Sequence, residues 1–152
     1  MPTYVCSVPP GILSEDQKTR IAVAISHHHR EATGAPSFFV QVVIEESEST
    51  RRYLGGELTN AHIWIRGDIR AGRSEQTRQQ LMLNIMKDVS SIASIREEAI
   101  WVYLCNLEPT DMVEYGHVLP QPGGEQGWFE SLPPSLQKYL KALGANQKTF
   151  RL

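Results

Sequence analysis

The run IRAGRSE (Ile69–Glu75) sets two arginines, Arg70 and Arg73, three residues apart and just ahead of a segment with helical periodicity. Cations at a helix N-terminus oppose the helix dipole. A bound anion reverses the sign, because exposed N–H groups, the dipole and two guanidinium forks all favour it. The plainer reading is a pair of solvated surface arginines, at a cost of roughly a few tenths of a kcal/mol. The opening MPTYV raises a second possibility. Proline fixes φ and has no backbone N–H, so it suits only the start or edge of a sheet. Once Met1 is removed, Pro2 carries a free secondary amine. An α-amino group titrates at roughly 7.7–8.0, so it can act as acid or base near neutrality. Many chains with proline second make no such use of it.

Tyr103 and Glu114 add a phenol and a carboxylate. On a strand Trp101, Tyr103 and Cys105 share one face. Tyr103 there either turns its hydroxyl into a site or serves as an interface aromatic. Glu114 stands just before a glycine turn, normally a solvated place, and gains chemical meaning only beside an amine or a bound substrate. The histidine run His27–His29 does not suit a metal: helix neighbours point about 100° apart, and ligand pairs on helices use i, i+4 spacing. His29 lies four residues beyond Ile25, near the edge of an apolar face. It is either a partly buried histidine with a local partner or a polar contact in a cleft.

The elements that position these residues repeat. Tyr4–Val8 is a short β-branched run ending at Pro9-Pro10-Gly11, hence a strand. Ser14 and Gln17 fit a capping box. Ile21, Ala24, Ile25, His28 and Ala32 follow at helical spacing until Gly34 and Pro36. Ser37–Glu45 is nearly continuous and apolar, and predicts a strand buried on both faces. A strand (Ala61–Ile69), a helix capped by Ser74 with Leu81, Ile85, Val89 and Ile92 on one face, and a strand (Ala99–Leu107) come next. The offset of about 60 residues calls for a repeat hypothesis. The expectation is one domain over 1–152, with pseudo-repeats at about 2–46 and 61–107 and a wrapping tail at 108–152. Its class is α/β (α+β): a tandem β-α-β repeat with a four-stranded, mainly parallel core sheet and two helices on one face. The uncovered face needs a partner. In the Pro/Gly-rich tail, Trp128 and Phe129 are candidate anchors and a short helix is expected near Ser135–Leu143.

The chain has 152 residues and a formal net charge of -2. That fits a single domain with a moderate core and leaves no electrostatic footprint for nucleic acid or an anionic membrane. No apolar run approaches the ~20 residues of a spanning helix, and the opening residues lack the regions of a secretion signal. Cys6 and Cys105 form no metal or redox motif and are expected as buried free thiols. There is no Asn-x-Ser/Thr sequon. A soluble cytoplasmic protein is expected.

Five stretches in order carry a resemblance: MPTY, AVAISHHHREATG, IRAGRSE, IWVYL and MVEYG…LPQPG…WF. Together they resemble the tautomerase superfamily, and within it the cis-3-chloroacrylic acid dehalogenase family, over nearly the whole chain. The resemblance implies a tautomerase/MIF-like fold, a homotrimer, and no metal or organic cofactor. It implies catalytic roles for Pro2, His29, Tyr103 and Glu114, and substrate binding by Arg70 and Arg73. The implied reaction adds water to a small cis-3-haloacrylic or acetylenic acid and ends in malonate semialdehyde. Glu114, helped by Tyr103, activates water; protonated Pro2 delivers a proton to C2. The segment Thr33–Phe39, stiffened by Pro36, departs from the family pattern. It leaves hydration chemistry better supported than chloroacrylate as the natural substrate. Two alternatives stand beside this one: a keto–enol tautomerase of phenylpyruvate type with Pro2 as base, and a non-catalytic binding protein resembling macrophage migration inhibitory factor. A trimeric domain without a site sits poorly with six scattered polar residues that match.

Overall fold

The computed structural model describes residues 2–36 and 39–145. Strand β1 (Thr3–Val8) buries alternate residues, as a strand with one core face must. Helix α1 (Glu15–Thr33) starts at Ser14, whose hydroxyl accepts the Gln17 N–H while the Gln17 side chain accepts the Ser14 N–H. It ends at Gly34, in the left-handed region at φ 69°, where glycine bears no Cβ penalty. Strand β2 (Gln41–Glu46) then lies parallel to β1. A hairpin of β3 (Tyr53–Leu54) and β4 (Glu57–Leu58) follows. Strand β5 (Ile63–Arg70), helix α2 (Glu75–Ala93) and strand β6 (Ile100–Leu107) form the second unit. Ser74 caps α2 by accepting the Thr77 N–H.

The sheet order is β2-β1-β5-β6. The outer pairs are parallel and the central β1–β5 pair is antiparallel. Tyr4, Cys6, Val8, Ile63, Ile65 and Ile69 meet Ile21, Ile25, Leu81, Ile85 and Val89 of the two helices in one core. Each such burial is worth roughly 1.5–3 kcal/mol before conformational entropy is set against it. The opposite face leaves Trp64, Trp101 and Tyr103 exposed. Among the described residues, no helix is long and apolar enough to cross a membrane.

Two expectations change. The strand expected over Ser37–Glu45 begins at Gln41; Ser37 and Phe38 lie outside the described residues. It is an edge strand with Gln41, Glu45 and Glu46 exposed, not one buried on both faces. Phe39 belongs instead to a second cluster with Leu119, Phe129, Leu132 and Leu140. Cys6 is buried, but Cys105 is only half-buried, since it sits on the helix-free face.

The tail builds that second cluster. A hairpin of β7 (Val113–Glu114) and β8 (His117–Val118) turns through Tyr115 and Gly116, both at positive φ, as a two-residue turn between twisted strands favours. Two helices follow, α3 (Glu125–Ser131), which the periodicity did not reveal, and α4 (Pro134–Ala145), close to the expected Ser135–Leu143.

Gly67 interrupts β5 for a reason of space. It lies opposite Tyr4 in the β1–β5 register. A Cβ there would stand 2.5 Å from Tyr4 Cε1 and 2.8 Å from Leu104 Cδ2. The Tyr4 ring occupies the room that glycine leaves. Gly67→Ala is therefore expected to destabilise by about 1–3 kcal/mol through overpacking, read as a lower urea midpoint with unchanged slope. An unchanged midpoint would mean the ring has other room.

Candidate active site

Arg70 ends β5, and the chain then turns into α2 past Arg73. Pro2 precedes β1, neighbour to β5, and its carbonyl accepts the Gln41 N–H at 3.0 Å. Helix α1 packs over this end of the sheet and brings His29 down. Pro2, His29, Arg70 and Arg73 thereby line one small pocket, together with Thr33, Ala35 and Ile69.

The two arginines are held differently. Arg70 is 5% exposed. It donates to the Pro120 carbonyl at 2.6 Å and to the Glu125 carboxylate. Burial pushes the Glu125 carboxyl up, but the hydrogen bond and charge of Arg70, together with backbone N–H donors, outweigh it and leave the pKa lowered. Arg73 is half-buried and, among the described residues, its guanidinium makes one long contact, 3.5 Å, to the Thr33 carbonyl. Burial first, then the charge of Arg70, lowers its pKa; a guanidinium still stays charged. Glu125 thus matches the charge of Arg70, and Arg73 is the less committed cation.

His29 is 4% exposed, with Nδ1 2.9 Å from the Tyr4 hydroxyl. Burial, then the positive amino terminus, Arg73 and Arg70, lowers its pKa to about 3. The ring is neutral at physiological pH. This has a sign for stability. The unfolded histidine binds a proton below about 6.5 and the folded one does not until about 3. The unfolded state therefore gains protons first, and stability is lost as pH falls through that window. The full difference corresponds to roughly 5 kcal/mol at most. Urea midpoints at pH 7.5 and 4.5 should fall further for the native protein than for His29→Asn. Equal falls would deny His29 this share.

Glu114 lies on β7, beside the same end of the sheet, and lines a wider cleft with Thr3, Gln41, Val113 and Tyr115. Burial raises its carboxyl pKa, while the positive amino terminus and Arg70 pull it down. A half-buried carboxylate within the field of an arginine can take a proton from water. Tyr103 is not brought to this pocket. It is 51% exposed on the helix-free face and meets Trp64 edge-on, with ring centroids 6.0 Å apart. It borders a separate concavity with His62, Trp64 and Trp101. Among the described residues, no group of His, Cys, Asp or Glu could hold a metal ion.

Three residues escaped the sequence reading: Tyr4 behind His29, and Pro120 and Glu125 around Arg70. Glycine in the middle of a strand pattern, at Gly67, was the one signal that something bulky crosses there.

The family described as "Putative oxalocrotonate tautomerase enzyme" matches residues 1–131. The structure resembles N1, a member of the cis-3-chloroacrylic acid dehalogenase family, at 33% identity and a TM-score of 0.88, covering 92% of this chain and 99% of that one. It also resembles native Ps01740, at 29% identity and a TM-score of 0.68, covering 74% of this chain and 99% of that one. Leishmania major MIF2, at 18% identity and a TM-score of 0.61 over 76% of this chain and 95% of that one, shares the fold. No curated protein matches. A family match over most of the chain, joined to a 33%-identical relative that folds alike over nearly all of it, shows that this protein is a tautomerase-type enzyme and belongs to the tautomerase superfamily.

Proposed function

We propose that this enzyme adds water to a small unsaturated carboxylate, of the cis-3-haloacrylic or acetylenic type, with the Pro2 amine as the acid. The observation that carries this reading is the convergence of Pro2, His29, Arg70 and Arg73 on one pocket, with Glu114 in electrostatic reach of Arg70. The arginines hold the carboxylate and draw electron density from the double bond, which leaves C3 electrophilic. Glu114 takes a proton from water as the oxygen bonds to C3. The ammonium of Pro2 gives a proton to C2. With a halide on C3, the resulting halohydrin loses HX and leaves malonate semialdehyde. The mechanism needs Met1 removed, so the intact mass should match a chain beginning at Pro2.

Tyr103 enters this scheme from a neighbouring copy. Its place on an exposed aromatic face, away from its own Pro2 pocket, suits a homotrimer in which the helix-free face is covered. Fused 4-OT, a 22%-identical relative in fold, is described as a trimer.

A second reading has its own support in the oxalocrotonate tautomerase match. With the Pro2 amine unprotonated, Pro2 becomes a base and the reaction a keto–enol shift. Incubation with cis-3-chloroacrylate, an acetylenic acid and phenylenolpyruvate separates the two. Halide release or semialdehyde formation faster than ketonisation supports hydration. Ketonisation alone refutes it in favour of the tautomerase.

A further inference from the structure

Tyr4 is fully buried, and its hydroxyl lies 2.9 Å from His29 Nδ1. Burial raises the phenol's pKa, so the oxygen keeps its proton. A buried O–H that donates to nothing costs free energy. Among the described residues, Nδ1 of His29 is the hydrogen-bond partner of this hydroxyl. A nitrogen that accepts carries a lone pair, so the ring proton sits on Nε2. The reverse arrangement, Nδ1–H into the phenol oxygen, strands the phenol proton. An imidazolium strands it as well. The pairing therefore selects one of the three ring states.

The geometry of the ring is fixed from behind. Tyr4 faces Gly67 across the β1–β5 pair, and the space a Cβ would take there holds its ring. The ring stands edge-on to His29, at 71° with centroids 5.8 Å apart. With Nδ1 engaged, the nitrogen that His29 leaves for the pocket of Pro2, Arg70 and Arg73 is Nε2.

We propose that Tyr4, seated over Gly67, is a positioning residue that holds His29 as the neutral Nε2–H tautomer and turns a hydrogen-bond donor toward the anion pocket. What that donor meets rests on the functional reading above: a carboxylate oxygen of the substrate, beside the arginines. A donor at Nε2 cannot take a proton from water, so His29 positions the carboxylate and water activation falls to Glu114. The tautomer itself does not depend on that reading.

The test is a long-range proton–nitrogen NMR spectrum of protein labelled at its histidine nitrogens, without substrate, at neutral pH, with His29 assigned by its absence in His29→Gln. The native protein should show Nδ1 unprotonated and Nε2 protonated. Tyr4→Phe keeps the ring over Gly67 and removes only the hydroxyl. It should move both nitrogens of His29 toward tautomer averaging and leave the other four histidines in place. A native His29 protonated at Nδ1, or at both nitrogens, overturns the proposal. So does a Tyr4→Phe spectrum with unchanged His29. Where the proposed hydration is observed, Tyr4→Phe should raise KM roughly threefold to tenfold and change kcat less. An altered tautomer with unchanged KM overturns the positioning role. Absence of turnover in the native protein would sink the hydration reading and leave the spectrum to decide the tautomer.

Discussion

Arg73→Ala is expected to lower kcat/KM by roughly two to three orders of magnitude with little change in stability. Arg70→Ala is expected to lose similar activity and destabilise the fold as well. The difference follows from their partners. Among the described residues, the Arg73 guanidinium makes a single long contact, to the Thr33 carbonyl, so its charge is available to a bound carboxylate and its loss leaves little unpaired. Arg70 is gripped by the Pro120 carbonyl and the Glu125 carboxylate, and so ties the tail to the end of β5. Its removal leaves the Glu125 carboxylate, 19% exposed, without its cation. Breaking a buried pair costs about 3–5 kcal/mol, and partial screening of Glu125 brings the expectation to about 2–3 kcal/mol. Arg70→Lys keeps the charge but not the fork that reaches both partners, and should fall between. Steady-state kinetics and urea unfolding on the three variants check this. Equal stability for Arg70→Ala and Arg73→Ala would refute the anchoring of the tail. Unchanged turnover in Arg73→Ala would remove the carboxylate clamp.

A larger loss is expected when the Pro2 nitrogen is blocked. One glycine added ahead of Pro2 converts its amine into a tertiary amide with no proton to give. A positioned acid contributes roughly 10²–10⁴-fold, and that factor should disappear. Stability should hold, because the Pro2 carbonyl can still accept the Gln41 N–H. Pro2→Ala keeps a primary amine at nearly the same place and should lose less. If the glycine-extended chain is as active as the native one, the amine is not the acid.

The local rules were legible wherever one segment settles its own fate. The capping box at Ser14 and Gln17, the stop at Gly34, and the buried row Leu81, Ile85 and Val89 all lie within single elements. Four of the six residues named from the sequence, Pro2, His29, Arg70 and Arg73, meet at one pocket, because the two β-α-β units bring the start of β1 beside the end of β5. Edge and centre were not legible. The apolar run around Val42 to Ile44 reads alike in either place, and only the sheet order makes β2 an edge. Pairs set by tertiary packing were hidden too: Tyr4 with His29, 25 residues apart, and Arg70 with Glu125, 55 apart. No periodicity links such positions. Tyr103 shows a different limit, since its alternation correctly sets it with Trp101, while what covers that face is not contained in one chain's pattern.

The most direct test is a proton NMR time course with cis-3-chloroacrylate, run on the protein that begins at Pro2 and on the glycine-extended form. The account predicts malonate semialdehyde, or acetaldehyde from its decarboxylation, forming at least about a hundredfold faster with the free proline amine. Equal rates in the two forms, or no product from either, would contradict proline-dependent hydration.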